Sequence, residues 1–131
     1  MTSLRQIAEA LADRVETVIG RATSVVENKP YPFAMVLPPT VSYVGISGTS
    51  GDVEFGVVVL VSAALDRKQL DLMDYADPTG AKSIPAAIQS DPSLGLAGVH
   101  AFVSDSRSLE AEEIAAYNAF GSLFVVPVRL G

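Results

Sequence analysis

The chain has 131 residues, of which 49% are hydrophobic, and it carries a formal net charge of −6 and no cysteine. This length suits one domain rather than two, and the hydrophobic content predicts a packed core, so we treat 1–131 as a single domain. The acidic balance argues against a protein that grips nucleic-acid phosphates, and the lack of cysteine excludes disulfides and thiolate metal sites.

The first segment, Ser3–Ile19, is predicted to be an amphipathic helix that packs on a sheet. Ser3 and Gln6 have the spacing of a capping box, and Gly20 is placed to end the helix. Its acidic residues are not typical of a signal peptide, and no apolar run in the chain approaches the ~20 residues that span a bilayer. Its apolar stripe comprises Leu4, Ile7, Ala8, Leu11, Val15, Val18 and Ile19.

Short strands are predicted next, at Thr23–Val26, Pro32–Leu37 and Val41–Ser47. Prolines on both sides of the second one mark strand ends or an unpaired edge, because proline cannot donate to a ladder. The third leads into the next strand through Gly48, Thr49, Ser50, Gly51 and Asp52, which we expect to form a flexible hairpin tip.

The segment Val53–Ala64 is predicted to be the central strand. Its odd-numbered positions are apolar from Val53 to Val61, and its even-numbered positions are apolar at Val58 and Leu60. A strand that is covered on both faces has this pattern.

Two helices are predicted after this strand. Asp66 and Gln69 have capping-box spacing, with Leu70, Met73 and Asp74 on one side of the helix. The sequence Asp77-Pro78-Thr79-Gly80 ends it. Ser83 can cap a second short helix, whose inner face would consist of Ile84, Ala87 and Ile88.

The C-terminal part is predicted to contain two further strands, Val99–Val103 and Phe120–Leu130, joined through a loop at Ser104–Ser108. The segment Leu109–Tyr117 is either a short helix or an acidic loop. Pro127 indicates an edge strand or a bulge. The order of elements favours an α+β fold, with a mainly antiparallel sheet of about four to five strands and all three helices on one face.

The residues do not form a recognisable catalytic set. His100 is the only histidine and is more typical of a structural position in a strand than of a general base. The carboxylates Asp66, Asp71, Asp74 and Asp77 fit a solvated helix surface better than a divalent-metal site. Gly48–Gly51 lacks the lysine and the following helix of a phosphate loop. We therefore predict no enzymatic activity, no cofactor and no metal.

The middle of the chain contains a series of turn-forming and helix-capping residues. In chain order these are Ser62-Ala63-Ala64, Asp66-Arg67, Gln69-Leu70-Asp71, Asp77-Pro78-Thr79-Gly80, Ser83-Ile84, Ala87-Ile88 and Asp91-Pro92-Ser93-Leu94-Gly95. This order resembles the tail terminator proteins of siphophages that infect actinobacteria. The amphipathic first helix, the proline-flanked strand near Pro38-Pro39 and the Val/Phe-rich last strand agree with that family at the level of pattern.

This resemblance implies a structural virion protein of the tail or neck, assembled in the cytoplasm of the bacterial host. Members of the family form a homo-oligomeric ring, usually a hexamer, that caps the tail tube and stops its polymerisation. The ring contacts the tail tube protein below and a head-completion or neck protein above. DNA passes through it without specific binding.

Two sets of residues are candidates for these contacts. An acidic lining would repel phosphate and let DNA slide, so we expect Asp52, Glu54, Glu110, Glu112 and Glu113 to include residues that face the lumen. The tip formed by Gly48, Thr49, Ser50, Gly51 and Asp52, with the proline-bounded strand, is a candidate interface with neighbours. Ordinary solvent exposure is an equally good explanation for all of these residues.

Alternative functions remain at this point. One is another neck or tail-completion protein of the same fold, and another is a small cytoplasmic ligand-binding or enzymatic α+β domain. A deep pocket that holds His100 beside a carboxylate would favour the latter. A generic homo-oligomeric interaction module is the third.

Overall fold

The fold is α+β, as predicted. It is seen in a computed structural model that describes residues 3–24, 32–42, 51–62, 68–108 and 119–130. Within these residues there are three helices and one mixed sheet of seven strands. The elements in chain order are α1 (Leu4–Ile19), β1 (Ala22–Thr23), β2 (Phe33–Val36), β3 (Thr40–Ser42), β4 (Gly51–Ser62), α2 (Lys68–Ala76), α3 (Ile84–Gln89), β5 (Val99–Ala101), β6 (Asp105–Ser108) and β7 (Ala119–Leu130).

The sheet is built around one long antiparallel pair, β4 with β7. These strands are in register from Gly51 opposite Leu130 to Ser62 opposite Ala119. Strands β2 and β3 follow one another along the other side of β4, and β5 and β6 follow one another along the other side of β7. Only β1 pairs in parallel, with β2. The sheet therefore has more strands than the four to five expected, but its antiparallel character is confirmed.

Helix α1 begins and ends where its sequence indicates. The Ser3 hydroxyl accepts a hydrogen bond from the Gln6 N–H, and the Gln6 side chain accepts one from the Ser3 N–H, which completes the capping box. Gly20 ends the helix with φ of 88°, a left-handed conformation that favours glycine. The buried stripe consists of Ile7, Leu11, Ala12, Val15 and Ile19.

The main core lies between the three helices and one face of the sheet. Val53, Phe55, Val57, Val59 and Val61 of β4 are all buried there. Facing them are α1 residues together with Tyr75 of α2 and Ile84 and Ile88 of α3. On the opposite face of the sheet, Val58 and Leu60 are buried in a separate cluster. The prediction that β4 is a central strand is thus confirmed, and its second face is buried at Val58 and Leu60 but exposed at Glu54.

Helix α2 is anchored to the core by Tyr75. Tyr75 is its buried side chain, with Leu72 and Ala76 packed against the core, whereas Met73 is 67% exposed. Of the residues predicted to share one side of this helix, Met73 and Asp74 are both exposed. The proposed cap at Asp66 lies outside the described residues.

Helix α3 matches its prediction closely. The Ser83 hydroxyl accepts from the Ala86 N–H, Pro85 occupies the first turn, and Ile84 and Ile88 are fully buried. Ala87 is partly buried. Through Ile84 and Ile88, α3 packs into the main core beside α1 and α2.

The segment Ser104–Ser108, predicted to be a loop, contains strand β6 instead. The Ser104 N–H donates to the Val125 carbonyl at 3.0 Å, while the next residue, Asp105, is also opposite Val125. Two residues opposite one is a β-bulge, and it separates β6 from β5. Strand β6 contains only polar residues, of which Asp105, Ser106 and Arg107 are exposed, so it lacks the apolar alternation by which strands are recognised.

Pro127 lies in the interior strand β7, beside this bulge. Its carbonyl accepts from the Phe102 N–H, so the proline nitrogen also points toward the β5–β6 side, where the register changes. No donor is therefore lost from the β4–β7 ladder. The edge-strand alternative for Pro127 is wrong, because β7 pairs on both sides, and the bulge lies in the neighbouring strand, opposite Val125.

Candidate interaction surfaces

The face of the sheet away from the helices is divided into an apolar half and a polar end. The apolar half is the buried cluster of Phe33, Met35, Val58 and Leu60, with Leu37 and Leu123 packed against it. We call this face the helix-free face, because none of the three helices in the described part of the chain contributes to its cluster.

The polar end of the helix-free face is formed by residues paired across four strands. Thr40 of β3 is opposite Glu54 of β4, which is opposite Pro127 of β7. Further along the strands, Asp52 is opposite Arg129, which is in turn opposite His100 of β5. Paired residues in a sheet share a face, so the pleat brings these positions together.

Glu54 is the predicted lumen residue that the structure describes fully. It is exposed at the polar end of the helix-free face. Of the other four predicted acidic residues, Glu110, Glu112 and Glu113 lie outside the described residues, and Asp52 is described only by its strand pairing with Arg129. The described charged residues of the helix-free face include two acidic ones, Glu54 and Asp105, and two basic ones, Arg107 and Arg129. The described part of this face is therefore mixed in charge rather than acidic.

The predicted hairpin tip is only partly described. Gly48, Thr49 and Ser50 lie outside the described residues. Gly51 and Asp52 are the first two residues of β4, paired with Leu130 and Arg129. The prediction that they belong to a flexible tip is therefore wrong, because the β4–β7 ladder begins earlier than the apolar pattern at Val53 suggests.

His100 is an exposed residue of strand β5. Its ring centroid is 6.2 Å from that of Phe102, and Arg129 is opposite it on β7. A groove of about 330 Å³ lies elsewhere, between the start of α1 and the turn between β2 and β3. Its walls are formed by Leu4, Arg5, Ala8, Ser24, Val36, Leu37, Pro38, Pro39 and Phe55. His100 is not among them, so these two features do not form one site.

The aspartates considered as a metal site are dispersed. Asp74 and Asp77 are exposed, and one Asp77 carboxylate oxygen accepts from the Thr79 N–H at 3.0 Å in a local turn. The side chains of Asp66 and Asp71 are not described. Within the part of the chain that is described, no group of three possible metal-ligating side chains comes together, and no helix is long and apolar enough to cross a membrane.

The Asp91–Gly95 turn connects α3 to the rest of the fold. The Arg14 guanidinium donates to the Asp91 carboxylate at 3.0 Å, and the Ser93 hydroxyl donates to the same carboxylate at 2.7 Å. The Pro92 carbonyl accepts from the Ala101 N–H of β5 at 2.7 Å. Leu94 adopts a positive φ of 54° with its side chain buried. The turn thus ties α1, α3 and β5 together.

We expect Arg14→Ala to lower the free energy of unfolding by about 0.5–1 kcal/mol, because the ion pair with Asp91 is partly shielded, with side chains 30% and 41% exposed. Urea denaturation of Arg14→Ala, Asp91→Ala and the double variant would measure the coupling. The matched control is Arg5→Ala, whose partner Glu9 is one helical turn away and where both side chains are more exposed. A coupling energy near zero between Arg14 and Asp91 would contradict the prediction.

Two of these features could not be predicted from the sequence. The polar β6 has no periodic pattern, and the Arg14–Asp91 pair joins residues 77 positions apart. The Asp91–Gly95 segment carries part of the resemblance noted in the sequence, but its contacts to α1 and β5 follow only from the three-dimensional arrangement.

No protein-family model matches this chain, and no curated protein has a significantly similar sequence.

Proposed function

We propose that this chain is a structural virion protein, a tail terminator that caps the tail tube as a ring and presents a surface to the head-completion or neck proteins. The observation that carries the proposal is the order of turn-forming and helix-capping residues between Ser62 and Gly95. The resemblance to tail terminators of actinobacterial siphophages rests on this order. In this proposal the protein acts by shape and contact rather than by catalysis.

The positions of those residues in the fold support the proposal. Ser83 is the buried cap of α3, and the Asp91–Gly95 turn holds α3 against α1 and β5. Residues of this kind determine how the helices sit on the sheet. A subunit that has to fit identical neighbours in a ring depends on such a fixed arrangement.

We propose further that the polar end of the helix-free face is turned toward the lumen of a hexameric ring. Glu54 is exposed there, as a lumen-facing carboxylate has to be. Since the described part of this face also carries Arg107 and Arg129, an acidic lining requires Glu110, Glu112 and Glu113 as well. DNA would then slide past without being held, because carboxylates repel phosphates.

Two measurements test the proposal. Light scattering and negative-stain electron microscopy of the purified chain should give a ring with the mass of about six subunits. Removal of the gene from a phage that encodes this chain should give overlong tail tubes, and the intact gene supplied in trans should restore normal length.

The phage experiment also separates the alternatives. Tails of normal length that fail to join heads would indicate another tail-completion or neck protein of the same fold. Normal, infectious virions in the absence of the protein would rule out a virion role and favour a ligand-binding domain. The groove beside α1 would then be the first place to look for a ligand.

A further inference from the structure

The outer edge of β6 has the properties of a self-pairing surface. Strand β6 pairs with β7 along one side, and none of the other described strands pairs with it. Asp105, Ser106 and Arg107 are all exposed. An edge strand of this kind presents backbone N–H and C=O groups to which another strand can be added.

The bulge determines which backbone groups point outward. The Val125 carbonyl points toward β6, where it accepts from the Ser104 N–H, and Asp105 is the register partner of Val125. Asp105 therefore directs its own N–H and C=O toward β7. Because these groups alternate in direction along a strand, Ser106 directs its N–H and C=O away from the sheet.

We propose that β6 is a homodimerisation edge, at which two copies of the chain pair antiparallel about Ser106. In this register Ser106 exchanges two backbone hydrogen bonds with Ser106 of the second copy. Asp105 of each copy is then directly opposite Arg107 of the other, on the helix-free face. Two opposite-charge pairs flank the two-fold axis, and such cross-strand pairs are stabilising.

Charge selects this register over its neighbours. A shift by two residues in one direction places Arg107 opposite Arg107, and a shift in the other direction places Asp105 opposite Asp105. Both shifts oppose like charges, which is destabilising. A guanidinium has five N–H donors, so Arg107 can bind the second copy while it keeps the contact it already makes within its own subunit.

This pairing is separate from the proposed ring. A two-fold contact uses the same patch on both copies and closes after two subunits, whereas a ring is made by head-to-tail contacts between different patches. The short, polar and bulged edge also limits promiscuous pairing, so the dimer is weak and specific.

The test is sedimentation velocity of the full-length chain over a range of concentrations up to about 1 mM. We expect concentration-dependent pairing of wild-type chains. Asp105→Arg and Arg107→Asp should each weaken pairing by about tenfold or more, because two attractive pairs become repulsive. The double variant, in which the charges are exchanged, should restore pairing to near the wild-type constant.

Asp74→Arg is the matched control, since it makes the same charge change as Asp105→Arg at an exposed position of α2, away from the β6 edge. It should leave pairing unchanged, and circular dichroism should show that every variant is folded. The proposal is overturned if the chain does not pair by 1 mM, if the control weakens pairing as much as Asp105→Arg, or if the exchanged double variant does not recover. A hexamer that is indifferent to all four variants would overturn the edge pairing and leave the proposed ring intact.

Discussion

Replacement of Phe124 by alanine is expected to lower the free energy of unfolding by about 3–5 kcal/mol, which is the range for removing a buried phenyl group. Phe124 is fully buried on the helix-covered face of β7, opposite Val57 of β4. It lies in the centre of the ladder, where neighbouring strands cannot easily move to fill the cavity. A domain with a total stability of about 5–15 kcal/mol would lose a large fraction of it.

The adjacent residue provides the control. Leu123 is on the other face of the same strand and packs, partly buried, against the cluster of Val58 and Leu60. Leu123→Ala should cost only about 1–2 kcal/mol, because part of its surface is already in water. Urea denaturation of both variants measures the difference. Equal losses would mean that the two faces contribute equally to stability, contrary to the burial pattern.

The elements that could be predicted are those whose signal is local. The capping box of Ser3 and the closing Gly20 bracket α1 within one residue, and Ser83 and Pro85 locate the start of α3. The alternating valines of β4 identified the central strand, and Val58 and Leu60 indicated burial on its second face. In each case the residues that signal the element in the sequence also make its capping or packing contacts in the structure.

The features that were missed depend on distant partners. Strand β6 exists because β7 offers it backbone hydrogen bonds, and its own polar side chains give no sign of that. The burial of Tyr75 was not predicted, because which side of α2 faces the core is set by its contacts with the sheet and α3. Gly51 and Asp52 belong to β4 because Leu130 and Arg129 extend β7 opposite them.

For the candidate surfaces, the sequence could indicate individual residues but not which residues lie beside them in the sheet. Both explanations offered for Glu54, a lumen-facing position and ordinary solvent exposure, require an exposed side chain, and Glu54 is exposed. It could not indicate that Arg129 and His100 would be neighbours of the Asp52 position across the sheet. That juxtaposition changes the electrostatics of the polar end, because strand register sets which charges share a face.

Replacement of Ser83 by alanine is expected to lower the free energy of unfolding by about 2 kcal/mol, more than loss of an ordinary helix cap. The Ser83 hydroxyl accepts from the Ala86 N–H at 3.0 Å and donates to the Asp77 carbonyl, while only 1% of the residue is exposed. Loss of the cap alone costs about 1 kcal/mol. The hydrogen bond to the Asp77 carbonyl at the junction of α2 and α3 adds about 1 kcal/mol, because its donor is buried although Asp77 itself is exposed.

Ser90, at the other end of the same helix, distinguishes this mechanism from a general effect of removing a hydroxyl. Its hydroxyl donates to the Ala87 carbonyl at 2.8 Å, but the residue is exposed, so water can replace the lost bond. Ser90→Ala should change the free energy of unfolding by less than about 0.5 kcal/mol. Thermal and urea denaturation of both variants provide the comparison, with Ser83→Thr as a third variant that keeps the hydroxyl. If Ser83→Ala is as mild as Ser90→Ala, the hydroxyl does not hold α2 and α3 together, and their junction depends on the packing of Ile84 and Ile88 alone.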